Sequence, residues 1–321
     1  MKTKNTLITA AAMFATLGLH AAPSINIDTV LVGNANNVAD TRTSTQGGTP
    51  NIGAVSYDYY IGTTGVTAGQ YATFLNAVAT NDNSLGLYNA NMYSNANGCG
   101  IQQLGNATDG YTYVASKGDN MPVNFVSVYD AMRFCNWVTS GNTEVGIYMF
   151  NGQVNDISLV VRNDAAWQAG GVAIASLDEW YKAAFYNGST GQYSTYANGK
   201  DTITTAEANF NNAVGAITDV FTYETTSFYG VLDMSGNVYE WTETISSGSN
   251  VYRRGGSFSS TASILASSSN NSSVATYEGD GFGFRVSSLT PIPEPGTYAA
   301  IFGTIAFALT AYRKRSITPK K

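Results

Sequence analysis

The sequence predicts an α+β domain with little regular structure, and three observations point that way. Three segments carry helical periodicity behind a capping residue, several short apolar runs have the length of strands, and turn-forming residues are spread throughout. Only 12% of the 321 residues are charged, while Gly, Ser, Thr, Asn and Tyr are abundant. Such a mixture favours loops over long regular elements.

The first helix is expected after Thr67, an N-cap residue, where Tyr71, Phe74, Leu75 and Val78 recur at i, i+3, i+4 and i+7. A second follows Ser127, with Asp130 three residues on as its capping-box partner. Its apolar stripe is Ala131, Phe134, Cys135 and Val138, and Gly141 is its stop. In the third, Ser176 and Glu179 form another box, and Leu177, Trp180, Tyr181 and Ala184 form the stripe before Gly188. Trp137 and Trp180 read as core anchors. Strand-like runs occupy residues 54–61, 146–150, 158–161, 251–254 and 282–287.

The two ends differ from the middle. Residues 1–22 carry Lys2 and Lys4, an apolar run and then Ala21 and Ala22, the pattern of a cleaved secretory signal. Residues 291–321 carry Pro293-Glu294-Pro295, an uncharged stretch over 296–312 and then Arg313-Lys314-Arg315. At 1.5 Å per residue that stretch reaches about 25 Å, the lower limit for a transmembrane helix. Between them, residues 23–290 are expected to form one exported domain.

Composition then excludes whole classes of function. From residue 23 through Pro295 the chain has 9 basic against 22 acidic residues, a net charge of −13, which argues against nucleic acid as a partner. The single histidine, His20, falls in the signal segment, so the exported domain lacks Ser-His-Asp, Cys-His and histidine-zinc chemistry. Cys99 and Cys135 are too few for a thiolate cage; they either pair as a disulfide or stay as buried thiols. Surplus carboxylates suit hard cations.

The most informative stretch is Asp233-Met234-Ser235-Gly236-Asn237-Val238-Tyr239-Glu240-Trp241, followed by Arg253-Arg254-Gly255-Gly256-Ser257-Phe258 and Gly283-Phe284-Arg285-Val286. With Tyr60-Ile61-Gly62, Pro122-Val123 and Leu177-Asp178-Glu179-Trp180 ahead of it, the chain resembles the formylglycine-generating enzyme, or sulfatase-modifying factor, family from about residue 56 to 288. The resemblance implies a C-type-lectin-like variant fold. It also implies calcium held by Asp233, the Gly236 and Val238 carbonyls and Glu240. A second calcium set maps to Asn209, the Phe210 carbonyl, Asp219 and the Phe221 carbonyl. Asp233 stands where some relatives have Asn, which keeps an oxygen ligand and adds charge.

Catalytic members of that family oxidise a substrate cysteine with copper on two cysteines just after the Gly-Gly-Ser motif. Here those positions hold Ser260 and Leu265, neither of them a soft ligand, so no copper is expected. The tail resembles the PEP-CTERM sorting signal, which implies an exosortase-type protease as partner, transient anchoring in the inner membrane, and delivery to the cell surface or extracellular matrix. Three functions follow: a non-catalytic, calcium-stabilised domain that binds protein or polysaccharide, an oxidase or divergent enzyme using the same cleft, or a structural matrix protein. Arg253, Arg254 and Arg285 either bind an anion or pair with the surplus carboxylates.

Overall fold

In the computed structural model, which describes residues 25–150 and 156–292, all three expected helices form behind their expected caps. Ser127 Oγ accepts from the Asp130 amide at 3.2 Å, and the Asp130 carboxylate accepts from the Ser127 amide at 2.8 Å. Ser176 and Glu179 repeat the arrangement at 3.2 and 2.8 Å. Thr67 is more than a lone N-cap, because the Gln70 side chain accepts from the Thr67 amide at 2.9 Å and closes a third box. The expected signal segment and tail helix lie outside the described residues. No helix among the described residues is long and apolar enough to cross a membrane.

In chain order the first half contains β1 (Thr29–Val32), β2 (Tyr59–Gly62), α1 (Ala68–Val78), α2 (Asn91–Ser94), β3 (Ile101–Asn106), β4 (Gly110–Ala115) and α3 (Val128–Ser140). There follow α4 (Asp164–Gln168), β5 (Ala173–Ile174), α5 (Leu177–Phe185), β6 (Tyr186–Asn187) and β7 (Gln192–Tyr193). The last part contains β8 (Tyr239–Ser247), β9 (Asn250–Arg254), α6 (Ala262–Leu265), β10 (Asn271–Val274), β11 (Phe282–Phe284) and β12 (Val286–Ser288). The fold is thus mixed α and β with low helical content, as the sequence predicts. The additional helices α2, α4 and α6 have four or five residues, too few to show a periodic stripe.

Strand boundaries needed more correction. The run at 54–61 becomes a strand only at Tyr59–Gly62. At 146–150 there is no strand, only isolated bridges pairing Val145 with Met149 and Tyr148 with Arg162. The run at 158–161 gives way to a single 3-10 turn, Ile157–Leu159, started by the Asp156 side chain. Most consequential, 282–287 is not one strand. It breaks at Arg285 into β11 and β12, which belong to different sheets.

One sheet has the order β1-β2-β12-β5 and is antiparallel; the other is β10-β9-β8-β11, with β11 parallel to β8. Around α1 and α3 the first core stacks Tyr71, Phe74, Phe134 and Trp137 against Phe284, with Phe134 and Phe284 centroids 5.3 Å apart. The second core gathers Tyr59, Trp180, Tyr181 and Phe185 around α5. Both expected tryptophan anchors are buried, as are Cys99 and Cys135, which are free thiols and not a disulfide.

Glu179 joins these parts. Its carboxylate accepts from Arg162 at 3.0 and 3.1 Å, from the Tyr57 hydroxyl at 2.7 Å and from Ser287 of β12 at 2.9 Å. Burial alone would raise its pKa, but the charge and hydrogen bonds of Arg162 with the other donors hold it below the ordinary carboxylate range.

Asp130 is the opposite case. Burial pushes its carboxyl up to about 7, the charge of Glu278 adds to this, and the Ser127 bonds and Arg133 only partly oppose it. A carboxyl whose folded pKa is raised lets the native state bind an extra proton between its ordinary 3.8 and about 7, so its contribution to stability falls as pH rises through that window. Urea unfolding should therefore show the advantage of the wild type over Asp130→Asn shrinking from pH about 5 to about 7.5. A difference independent of pH would refute it.

Candidate functional site

Side chains on a strand alternate between faces, and residues opposite one another across a ladder share a face. Tyr239 lies opposite Phe282, and Trp241 opposite Arg253, so these four side chains occupy one face of the β8–β9–β11 sheet. Glu240 and Arg254, also opposite one another, occupy the other face, toward α5. The central motif is built on this alternation.

On the inner face, Glu240 is committed to Arg285. Arg285 donates to Glu240 Oε1 at 2.6 Å and to Oε2 at 2.8 Å, and the Trp180 indole donates to Oε2 at 2.6 Å. The same guanidinium donates to the carbonyls of Gly62 and Leu232 at 2.7 and 2.8 Å. Both partners are almost wholly buried. Glu240, one of the expected calcium ligands, thus has both carboxylate oxygens engaged by Arg285.

The three arginines of the motif take three roles. Arg285 is an ion-pair partner. Arg254 donates to the carbonyls of Ser267 and Ser269 and lies 5.0 Å from the Tyr181 ring centroid, and its burial lowers its pKa to about 10. Arg253 faces outward. Its guanidinium stacks on Tyr239 at 3.8 Å and on Phe282 at 4.9 Å, and Nε donates to Ser273 at 3.0 Å. Its Nη1 is shielded from solvent and has no hydrogen-bond partner, and no carboxylate among the described residues pairs with it.

Arg253 forms one wall of an open cleft of about 530 Å³. Tyr239, Tyr277 and Phe282 supply aromatic surface, with Tyr277 and Phe282 centroids 4.7 Å apart, and Tyr277 is half exposed. Ser257, Ser259 and Ser260 present hydroxyls; the Ser257 amide donates to Ser260 Oγ at 2.9 Å, and Ser260 Oγ donates to the Tyr239 hydroxyl at 3.2 Å. Tyr277, Ser273 and Asp280 were missed in the sequence, because they come from a Ser/Asn-rich stretch that looks like solvated loop. The positions of Ser260 and Arg253 are what marked this place in the sequence.

The second set of candidate ligands converges elsewhere. Asn209 bridges to Gly236 in parallel, and the Asn237 amide donates to the Asn209 carbonyl at 2.7 Å. Gly236 has φ +76, and a Cβ there would lie 2.1 Å from that carbonyl, so the approach requires glycine. Asn209 Nδ2 donates to Ala216 and Asn237, whereas its Oδ1 is buried and unpaired. The Phe221 amide donates to Asp233 at 3.3 Å, which joins one residue of each expected set. Phe210 is buried, Asp219 and Phe221 are exposed, and Val238 is buried in the first core. Burial pushes the Asp233 carboxyl up to about 6 despite Arg285 and the Phe221 amide. Asn211, Asn212, Phe221, Asp233 and Asn237 all have positive φ, a concentration of strained backbone in this one place.

A family profile described as the sulfatase-modifying factor enzyme 1-like domain matches residues 24–288. The chain belongs to the sulfatase-modifying factor family. Solved structures similar to it include the following three. The crystal structure of CarF has a TM-score of 0.57 and 23% identity, covering 83% of this chain and 99% of CarF. Treponema denticola variable protein 1 has a TM-score of 0.53 and 18% identity, covering 84% and 98%. PvdO from Pseudomonas aeruginosa has a TM-score of 0.53 and 15% identity, covering 82% and 94%. No curated protein matches the chain by sequence.

Within this member of the sulfatase-modifying factor family, Ser260 and Leu265 meet at Gly256. A Cβ on Gly256 would lie 3.3 Å from Ser260 Cβ and 2.6 Å from Leu265 Cδ1. Leu265 packs inward with Phe210 and Ala208, while Ser260 stays on the cleft. Burial raises both Cys99 and Cys135 thiols, which disfavours the thiolate form a soft metal needs.

For the buried pair, Glu240→Gln should lower the unfolding free energy by about 3–5 kcal/mol, since it strands Arg285 as an uncompensated buried charge. Urea unfolding with an unchanged m-value measures it. A loss of less than about 1 kcal/mol would show a surface-like pair instead.

Proposed function

We propose that this chain is an exported, non-catalytic member of the sulfatase-modifying factor family that binds a polysaccharide or protein of the cell surface or matrix. The observation that carries the reading is the cleft beside Ser260: it is open and aromatic-walled, yet its two soft-metal positions hold Ser260 and Leu265. An open cleft without cysteines on its lining supports binding over thiol oxidation. The N-terminal signal pattern and the Pro-Glu-Pro tail support export and sorting by an exosortase-type protease, with the tail a transient inner-membrane anchor.

Calcium is proposed at Asn209, Asp219 and the Phe210 and Phe221 carbonyls. The buried, unpaired Asn209 Oδ1 fits an oxygen ligand awaiting a hard cation, and the strained backbone around it fits a loop shaped by one. When bound, the ion would supply positive charge that fixes this loop; Asn209 orients toward it through its bonds to Ala216 and Asn237. The Asp233, Gly236, Val238 and Glu240 set does not fit in the same way, because Arg285 already neutralises Glu240.

Copper-loaded protein with a cysteine peptide should consume no oxygen, and thiol-dependent uptake would overturn the non-catalytic reading. Polysaccharide and protein fractions of the producing cell's own matrix should be retained by the wild type and lost with Tyr277→Ala. For calcium, a saturating concentration should stabilise the fold by about 2–3 kcal/mol over chelator, and Asn209→Ala should remove that difference. An identical melting curve with calcium and with chelator would sink the calcium site.

A further inference from the structure

We infer that the cleft selects a carboxylated sugar, a uronic-acid unit within a polysaccharide, with Arg253 as the group that recognises its carboxylate. This rests on the reading of the cleft as a binding site and adds the class of ligand. The argument begins from charge. In a domain with 21 acidic residues against 9 basic ones, an arginine with neither a carboxylate nor another full set of acceptors is unexpected. Arg285 and Arg254 are fully accounted for inside the fold, and Arg253 is not.

The surroundings of Arg253 hold it in place. Stacking on Tyr239 and Phe282 fixes the plane of the guanidinium, and the bond from Nε to Ser273 fixes its rotation. That leaves the Nη edge as the part without a defined partner. A shielded donor with no acceptor is costly, and a carboxylate entering beside it would satisfy it with a charge-assisted, two-pronged bond. A guanidinium fork is suited to a carboxylate in a way an ammonium is not.

The remaining lining narrows the ligand. Ile264 and Phe282 are its only wholly apolar side chains, so it offers no pocket for an apolar peptide side chain. Instead it offers hydroxyls from Ser257, Ser259, Ser260 and Thr261, which match the ring hydroxyls of a sugar. Tyr277, half exposed and braced edge-on by Phe282, supplies a flat face for a pyranose ring. Asp280 also lines the cleft, its Oδ2 accepting from Asn97 at 3.2 Å. With a carboxylate already on the wall, a second negative group beside Arg253 on the same ring is disfavoured, and a sugar ring that carries a single carboxylate among neutral hydroxyls fits.

The test is calorimetric titration of the full-length chain, in mild detergent with calcium, using hexagalacturonate, its fully methyl-esterified form and cellohexaose. Hexagalacturonate should bind, and the ester and the neutral hexamer should bind roughly tenfold or more weakly, the loss expected for one charge-assisted bond. Arg253→Gln should weaken hexagalacturonate to about the level of the ester, and Tyr277→Ala should weaken all binding. Equal affinity for acid and ester overturns the inference, and this comparison needs no altered protein that must fold. If neither acid nor ester binds while the matrix fractions are still retained through Tyr277, the carboxylate inference falls and the binding reading stands. If nothing is retained at all, both fall.

Discussion

The two four-stranded sheets meet along the chain at Arg285. Arg285 separates β11 from β12, and the chain passes from one sheet to the other at that point. Its guanidinium reaches the end of β2 at Gly62, the motif loop at Leu232 and β8 at Glu240, while Trp180 brings α5 to the same carboxylate. A buried ion pair of this kind contributes little net stability relative to well-packed apolar groups, but breaking it leaves a charge with no partner. What it supplies is position. Four separate segments can adopt only the arrangement in which every donor on Arg285 meets an acceptor.

The rest of the site follows from that constraint. Once Glu240 points inward to Arg285, strand alternation sends Tyr239 and Trp241 to the opposite face, and Arg253 and Phe282 come with them through the ladder register. A shift of one residue would bury Tyr239 and expose Glu240. The motif's carboxylate is therefore a structural element of the cleft, acting through the register of β8. Just ahead of it, Gly236 lets the chain pass against the Asn209 carbonyl, so the cleft and the Asn209 neighbourhood are two consequences of one short stretch of sequence.

Much of this was legible in the sequence, for specific reasons. Capping boxes show up because both partners lie within three residues, and the Ser127/Asp130 and Ser176/Glu179 boxes form as expected. Strands of two to four residues leave no comparable local signature, which is why 146–150 and 158–161 read as strands and 282–287 read as one. Nothing local distinguishes Arg253 from Arg254: they are neighbours in the chain, and only the facing of β9 makes one a core residue and the other a cleft residue. Ser273 and Tyr277 were hidden for the same reason, since the first takes its meaning from Arg253, twenty residues back on β9, and the second from how β11 places Phe282.

At Gly256 the fold brings together the two positions that decide what lines the cleft and what lies beneath it. The chain positions that meet there are five residues apart, and helix α6 turns the second back onto the first. Leucine at position 265 packs on the interior side with Phe210 and Ala208, an apolar side chain where a second soft ligand would stand. Serine at position 260 keeps the outer side polar and ties Ser257 to Tyr239. The wall of the cleft is thus held by hydroxyl bonds and aromatic packing, contacts that need no thiolate pair. A cleft built this way is free to be specified by what else lines it, and here that is an arginine with one edge unsatisfied, a row of hydroxyls and an exposed tyrosine.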